Sequence, residues 1–315
     1  MTVAAIEMRH LSKRFPSGHG LVDVSLTVTR GAVFGYLGPN GAGKTTTLRT
    51  LLGLLRPDVG EARVLGLNPM THGQQVRAQV GVLLAYDGLY ERLSALRNLT
   101  YYGRIYHVDP AVLERRQREL LETFGLWSRR HERVVTWSTG MRKKLAIARA
   151  LLSSPRLLLL DEPFAGLDPE AAVDLRHLIV RLVRDHDLTV MMTTHELAHV
   201  EKVCTDVAVL DHGRLLAYGT PAQIRHHHIA LEVHVSSTGL TYEILAKMQQ
   251  DGLLTAFRLD GSIARLHCDA LTRERLGHEF ACRGIYLEEL YDVRHSLEEA
   301  FLSILAHASR SDNDA

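Results

Sequence analysis

The spacing of hydrophobic positions changes along the chain, and the changes divide it. The opening runs "AIEMRHLS" and "LVDVSLTVT" read as strands, and "AVFGYL" is continuously apolar. An unbroken apolar run of that length suits a strand covered on both faces. It leads into "GPNGAGKTTTLRTLLGLL", a glycine-rich turn followed by helical spacing. From about residue 85 to 155 the helical period dominates. In "PAVLERRQRELLETFG", Val112, Leu113, Leu120, Leu121 and Phe124 fall on one face, and Gly125 is placed to stop the helix. Buried-strand runs return in "RLLLLD" and "LTVMMTTH", and "VAVLDHGRLLAYG" predicts a hairpin turned at Asp211, His212 and Gly213.

After Pro221 the rhythm shifts to short alternating elements. The order is strand ("ALEVHV"), helix ("TYEILAKMQQ"), strand ("TAFRL"), strand ("IARLHC"), helix ("TRERLGHEFACR"), strand ("IYLEEL") and a last helix ("SLEEAFLSIL"). That β-α-β-β-α-β order is the ferredoxin-like pattern. The expected organisation is an α/β domain over residues 1–228, a small α+β domain over 229–306, and a disordered polar tail over 307–315. The run His226, His227, His228 is expected to be a solvated linker rather than a metal site.

Composition narrows the possibilities. The 37 basic and 36 acidic side chains nearly cancel, so no basic footprint points to nucleic acid and none is expected as a partner. The three cysteines, Cys204, Cys268 and Cys282, show no metal-ligand spacing, which fits a reducing cytoplasm. No apolar stretch approaches the roughly 18–20 residues that cross a bilayer. Glu7 falls where a signal peptide would need an apolar core. The expectation is a cytoplasmic protein that reaches a membrane only through a partner.

Two stretches carry chemistry. "GPNGAGKT" fills the phosphate-binding pattern with Gly38, Gly43, Lys44 and Thr45, in the strand-to-helix context that pattern needs. Its glycines let backbone N–H groups converge on phosphate oxygens at a helix N-terminus. Lys44 would reach the β- and γ-phosphates of ATP, and the Thr45 hydroxyl would hold Mg²⁺. "LLLLDEPFAGLD" places Asp161 and Glu162 side by side at the end of a buried run. Two adjacent carboxylates there repel each other unless a cation takes up their charge. Asp161 is the expected Mg²⁺ ligand, and Glu162 the group that orients or deprotonates the attacking water.

The chain resembles the ATP-binding subunit of an ABC transporter, across roughly residues 4–225 and through five motifs in the family's order. After the phosphate loop come "WSTGMRKKLAIARALL", matching the family signature at Ser138 and Gly140, then "LLLLDEP", "AGLDP" with Asp168, and "MMTTHE" with His195. The resemblance implies a P-loop NTPase cassette that hydrolyses ATP, with nucleotide contacts at Phe15, Asn40, Gly41, Thr46 and Asp168. It implies that His195 contacts the γ-phosphate, and that Ser138 and Gly140 touch nucleotide held by a second copy in a head-to-tail homodimer. On their own residues these positions admit other readings: Ser138 as a plain helix cap, His195 as a core histidine, Phe15 as core filling rather than an adenine platform.

Departures from the family pattern are few. Ala85 stands where the family usually has a glutamine that touches Mg²⁺ and the membrane partner, so Tyr86, Asp87 or water would substitute, and hydrolysis would be slow or unusually coupled. Trp137, Thr139 and Met141 replace commoner signature residues. "S-x-G-M" followed by basic residues, with the appended C-terminal domain, resembles exporters of drugs, antibiotics, polysaccharides or lipids whose permease is a separate integral membrane protein. Residues Tyr86 to Leu93, with Leu89, Tyr90 and Leu93 expected exposed, form the expected docking groove for that permease. The C-terminal domain has a regulatory or substrate-sensing role as its alternatives.

Overall fold

The order of buried and exposed positions fixes the first strands. In the computed structural model β1 (Ala4–Arg14), β2 (Gly20–Thr29) and β3 (Val33–Leu37) precede α1 (Lys44–Leu51) and β4 (Val59–Val64). The structure describes residues 4–313 except 17, 85, 229, 230 and 294, and only the backbone at 186, 227, 228 and 309–313. The chain then forms α2 (Gly73–Ala78), β5 (Val80–Leu83), α3 (Ala95–Ile105), α4 (Pro110–Thr123) and α5 (Thr139–Ala150). Next come β6 (Leu157–Asp161), α6 (Pro169–His186), β7 (Thr189–Thr194), α7 (Leu197–Val203), β8 (Asp206–Asp211), β9 (Arg214–Gly219) and α8 (Pro221–His228).

Two sheets organise this part. Strands β2-β1-β4 make an antiparallel layer, and β5-β6-β7-β3-β8-β9 make a second sheet that is parallel except for β9. Every residue of β3, β6 and β7 is buried, which is why these runs are apolar without alternation. One core cluster joins the layers: Ile6, Met8 and Leu26 pack with Phe34, Leu48, Leu51, Leu159 and Met191. The β8–β9 hairpin turns through His212 and Gly213, both in the left-handed region at φ 42° and 78°, as a tight twisted hairpin requires.

Between β5 and β6 the chain is helical. Asp109 caps α4 by accepting from the N–H groups of Ala111 and Val112, and Pro110 opens the helix. Its buried face differs from the expected one in a single exchange. Val112 is exposed, and Gln117 is buried instead, its Nε2 donating to Thr100 Oγ1 at 2.9 Å. A satisfied amide can enter a helix interface that an apolar count would deny it.

The chain divides into two compact units at Pro221–Ala222, within the first turn of α8. The histidine run ends α8. The second unit contains β10 (Leu231–Ser236), α9 (Tyr242–Gln250), β11 (Ala256–Asp260), β12 (Ile263–Cys268), α10 (Ala270–Cys282), β13 (Glu289–Asp292) and α11 (Leu297–Asn313). Its sheet is antiparallel in the order β11-β12-β10-β13, over a core that includes Val233, Val235, Leu245, Leu266, Leu276 and Phe280. The last strand begins later than "IYLEEL" suggests, and α11 continues to Asn313 through most of the expected tail. Extending an existing helix adds one hydrogen bond per residue without a new nucleation cost, so polarity alone does not end it.

Candidate active site

Strand β3 lies inside the parallel sheet, between β7 and β8, and at the C-terminal edge of the strands it hands the chain to a loop with little room for side chains. A Cβ on Gly38 would stand 2.5 Å from the Leu210 carbonyl oxygen. Gly43 adopts φ 105°, and a Cβ there would meet Leu21 Cδ2 at 2.7 Å. Gly43 is also the N-cap of α1; it supplies no side-chain cap, and no acid lies in the first turn. The first N–H groups of α1 are thus free of side-chain acceptors and suited to an anion. Asn40, Gly41 and Thr45 are exposed on this loop, with Thr46 half-buried behind them. Below, Tyr36 Oη and Thr47 Oγ1 lie 3.0 Å apart in the core, and Thr47 Oγ1 donates to the Gly43 carbonyl at 3.1 Å.

Lys44 is nearly buried. Its Nζ donates to the carbonyls of Gly38 at 2.7 Å and Pro39 at 3.1 Å, and lies 3.7 Å from Glu162 Oε1. Burial pushes its pKa below the usual lysine value, and the nearby charges of Glu162 and Asp161 oppose that shift only in part.

Strand β6 brings the acids to the same edge because it pairs with β7, Asp161 opposite Thr193. Asp161 is buried, and one of its oxygens accepts from Thr193 Oγ1. Its other oxygen makes no hydrogen bond among the described residues, which suits a cation ligand. Glu162 is a non-glycine residue at φ 49°, a strained conformation that turns its side chain away from the strand register. Its N–H donates to the Thr193 carbonyl at 3.0 Å, and its carbonyl accepts from Lys143 Nζ at 2.8 Å. Its Oε2 lies 3.0 Å from Nδ1 of the half-exposed His195 and accepts from the His195 N–H at 3.4 Å.

Lys44, Glu162 and His195 therefore converge, with Asp161 and Thr45 one residue away in sequence. Ser138, Gly140 and Asp168 lie apart and make no hydrogen bond or ion pair to that group among the described residues. Ser138 caps α5, its Oγ accepting from the Met141 N–H at 3.3 Å, which leaves the hydroxyl proton free to be donated. Asp168 caps α6 by accepting from the Ala171 N–H at 2.8 Å, and Gly140 is packed so near that a Cβ would meet Ala171 Cβ at 3.1 Å. Phe15 is half-buried in the turn after β1, with Lys13 Nζ 6.0 Å from its ring centre.

The segment after β5 departs from expectation. Ala85 lies outside the described residues. Leu89 is buried, not exposed, and Leu93 is half-buried; Tyr86 and Tyr90 are the exposed members. Asp87 is engaged by Arg142 at 3.0 Å, and Arg142 also reaches Glu91 at 2.7 Å. Two participants escaped the sequence reading. Thr193 was signalled by the polar pair that ends the buried strand β7. Lys143 carried no signal, since basic residues on a helix are ordinarily solvated.

The family model described as "ABC transporter" matches residues 21–165. A Nod factor export ATP-binding protein I of Rhizobium sp. (strain N33) is 37% identical over 307 residues, 96% of this chain and 98% of that one. The chain belongs to the ATP-binding subunits of ABC transporters. The ABC ATPase is also 39% identical to a daunorubicin/doxorubicin resistance ATP-binding protein, DrrA, of Streptomyces peucetius, over 70% of this chain and 67% of that one. A solved structure, the ATP binding subunit of an ABC transporter, matches 71% of this ABC ATPase and 92% of its own chain, at TM-score 0.64 and 32% identity. Members of this family hydrolyse ATP and work with membrane permease components. No helix among the described residues of the ABC ATPase is long and apolar enough to cross a membrane.

Proposed function

We propose that this chain is the ATPase subunit of an exporter, moving a cargo of the drug, antibiotic, polysaccharide or lipid class through a separate integral membrane permease. The name of the Nod factor export relative supports export, and that of the daunorubicin/doxorubicin resistance relative fits a cargo of the drug class. In this reading the protein sits in the cytoplasm, peripheral on the inner face of the membrane through its permease. Two copies pair head to tail with two ATP molecules between them, Ser138, Gly140 and Asp168 of each facing nucleotide held by the other. The exposed Tyr86 and Tyr90 contribute to the permease-docking surface, and the C-terminal unit is a ferredoxin-like accessory module.

The observation that carries the reading is the convergence of Lys44 and His195 on the Glu162 carboxylate. The phosphates of ATP fit the uncapped start of α1, within reach of Gly38, Asn40, Gly41, Gly43 and Thr46, while Phe15 offers a ring to adenine. Lys44 leaves its loop carbonyls for the γ-phosphate. Glu162 takes the proton of the attacking water on Oε1 or Oε2, and the His195 N–H groups hold that carboxylate in place. Mg²⁺, held by Thr45 and Asp161, would supply positive charge to the phosphate oxygens. Catalysis here is positioning and electrostatics.

Glu162→Gln tests this. The amide keeps the shape and hydrogen bonds but cannot accept the proton, so phosphate release with Mg²⁺ is expected to fall by about 10²–10⁴-fold. Light scattering should then find the variant as an ATP-dependent dimer. Turnover at the native rate removes Glu162 from the role of base.

A further inference from the structure

We infer that Lys143, on the helix that begins with the signature serine, is a positioning residue for Glu162 and makes the geometry of the base depend on the placement of α5. The inference rests on the reading of Glu162 as base. Glu162 is held in the left-handed region at φ 49°, a conformation that surrounding contacts must maintain. Its carbonyl accepts from the Ala165 N–H at 3.3 Å, a contact within the same turn, and from Lys143 Nζ at 2.8 Å. Lys143 is thus the donor that reaches this peptide from another element.

The energetics make the contact more than incidental. The Lys143 ammonium is half-buried, and burial lowers its pKa, with Glu196 and Glu162 opposing. A cleft of about 450 Å³ opens beside it, lined by Trp137, Arg142, Asp161 and Glu162 among others. A lysine free to swing into that space gains by staying only if the carbonyl compensates its desolvation. Were the ammonium to leave, the Glu162 carbonyl would lose its cross-element partner, and only the N–H side of this strained residue would still be tied to β7 through Thr193.

Helix α5 is in turn anchored elsewhere. Arg142 pairs with Asp87 and Glu91, and Arg149 donates to the carbonyls of Val82 at 3.1 Å and Asp87. The segment that follows β5 is therefore clamped to the helix whose next residue holds the base. Ser138, at the start of α5, lies less than two turns from Lys143. A shift of α5, from nucleotide across the pair or from a partner on the 86–91 segment, moves the Lys143 donor and with it the Glu162 peptide. Lys143 touches no reacting atom; it acts through Glu162.

The test compares purified full-length Lys143→Met, Lys143→Arg, Lys144→Met and Glu162→Gln with the native chain, reading kcat, KM for ATP and thermal midpoint. Lys144, which pairs with Asp174 at 3.0 Å, controls for charge lost from the same helix. Methionine keeps the stem and removes the donor, so kcat should fall about tenfold or more, because small misplacements of a base are costly. KM for ATP should stay within about threefold, since nucleotide binding is not what is lost. Arginine restores the donor and should recover most of kcat, and Lys144→Met should leave it unchanged. Native kcat in Lys143→Met, a loss that arginine does not restore, or an equal loss in Lys144→Met overturns the inference while leaving the base assignment intact. Native kcat in Glu162→Gln removes the base itself and the inference with it.

Discussion

Lys44 and Lys143 share an electrostatic predicament with a measurable consequence. Each is a cation withdrawn from water beside carboxylates that do not fully compensate, so each loses its proton at lower pH than an exposed lysine. For Lys44 the protonated form is the one that binds phosphate, and for Lys143 the one that holds the Glu162 carbonyl, so activity is lost as pH rises through the lowered value. The alkaline limb of kcat/KM, which reports the free enzyme, should therefore fall below the ordinary lysine range. With the triphosphate in place its negative charge favours the ammonium, so the limb of kcat should lie at higher pH. Identical limbs in the two profiles would show that Lys44 does not titrate in this range. At the residue scale the sequence singled out Lys44, Asp161 and Glu162: the spacing from Gly38 to Thr45 has few other uses, and two adjacent carboxylates after four leucines repel each other unless a cation takes up their charge. The support around them was not legible there. Thr193 matters because β6 and β7 are neighbours in register, and Lys143 because α5 crosses behind Glu162, facts of tertiary placement that no local window contains.

Helix ends show how an element serves two purposes at once. Asp168 was read through family resemblance as a nucleotide contact, and in the folded chain it caps α6, an 18-residue helix, through the Ala171 N–H. The two roles separate by substitution. Asp168→Ala removes the cap and should lower the urea-unfolding free energy by about 1 kcal/mol. Asp168→Ser preserves a capping oxygen and should recover most of that loss while lacking the carboxylate. If both variants unfold like the native chain, the cap contributes nothing measurable; if serine restores stability but not ATPase activity, the carboxylate itself is needed at the nucleotide. Element types were legible because buried parallel strands and amphipathic helices differ so plainly in period. Their fine composition was less so. Gln117 replaces Val112 on the buried face of α4 because Thr100 lies across the interface to accept its amide, and α11 outruns its apolar stripe because helix propagation is cheap.

On the scale of the whole molecule, each unit buries its own apolar cluster. The first gathers both sheets and α1 around Phe34, Leu48 and Leu159. The second closes β10, β12, α9 and α10 over Val235, Leu245, Leu266 and Phe280, all fully buried. The groups that converge at Glu162 all lie within the first unit. Two consequences follow from that division. A fragment of residues 231–315 should unfold in a single sigmoidal urea transition, because a cluster of this kind supplies the cooperative core that a small domain needs. A chain truncated after residue 228 should bind ATP within about threefold of the full protein, since nucleotide affinity is set by groups it retains. A featureless unfolding curve for the fragment, followed by circular dichroism, would mean that the second cluster does not suffice alone. Lost ATP binding in a truncated chain that still melts cooperatively would mean that the accessory unit acts on the nucleotide site, and would place regulation there rather than in the cassette.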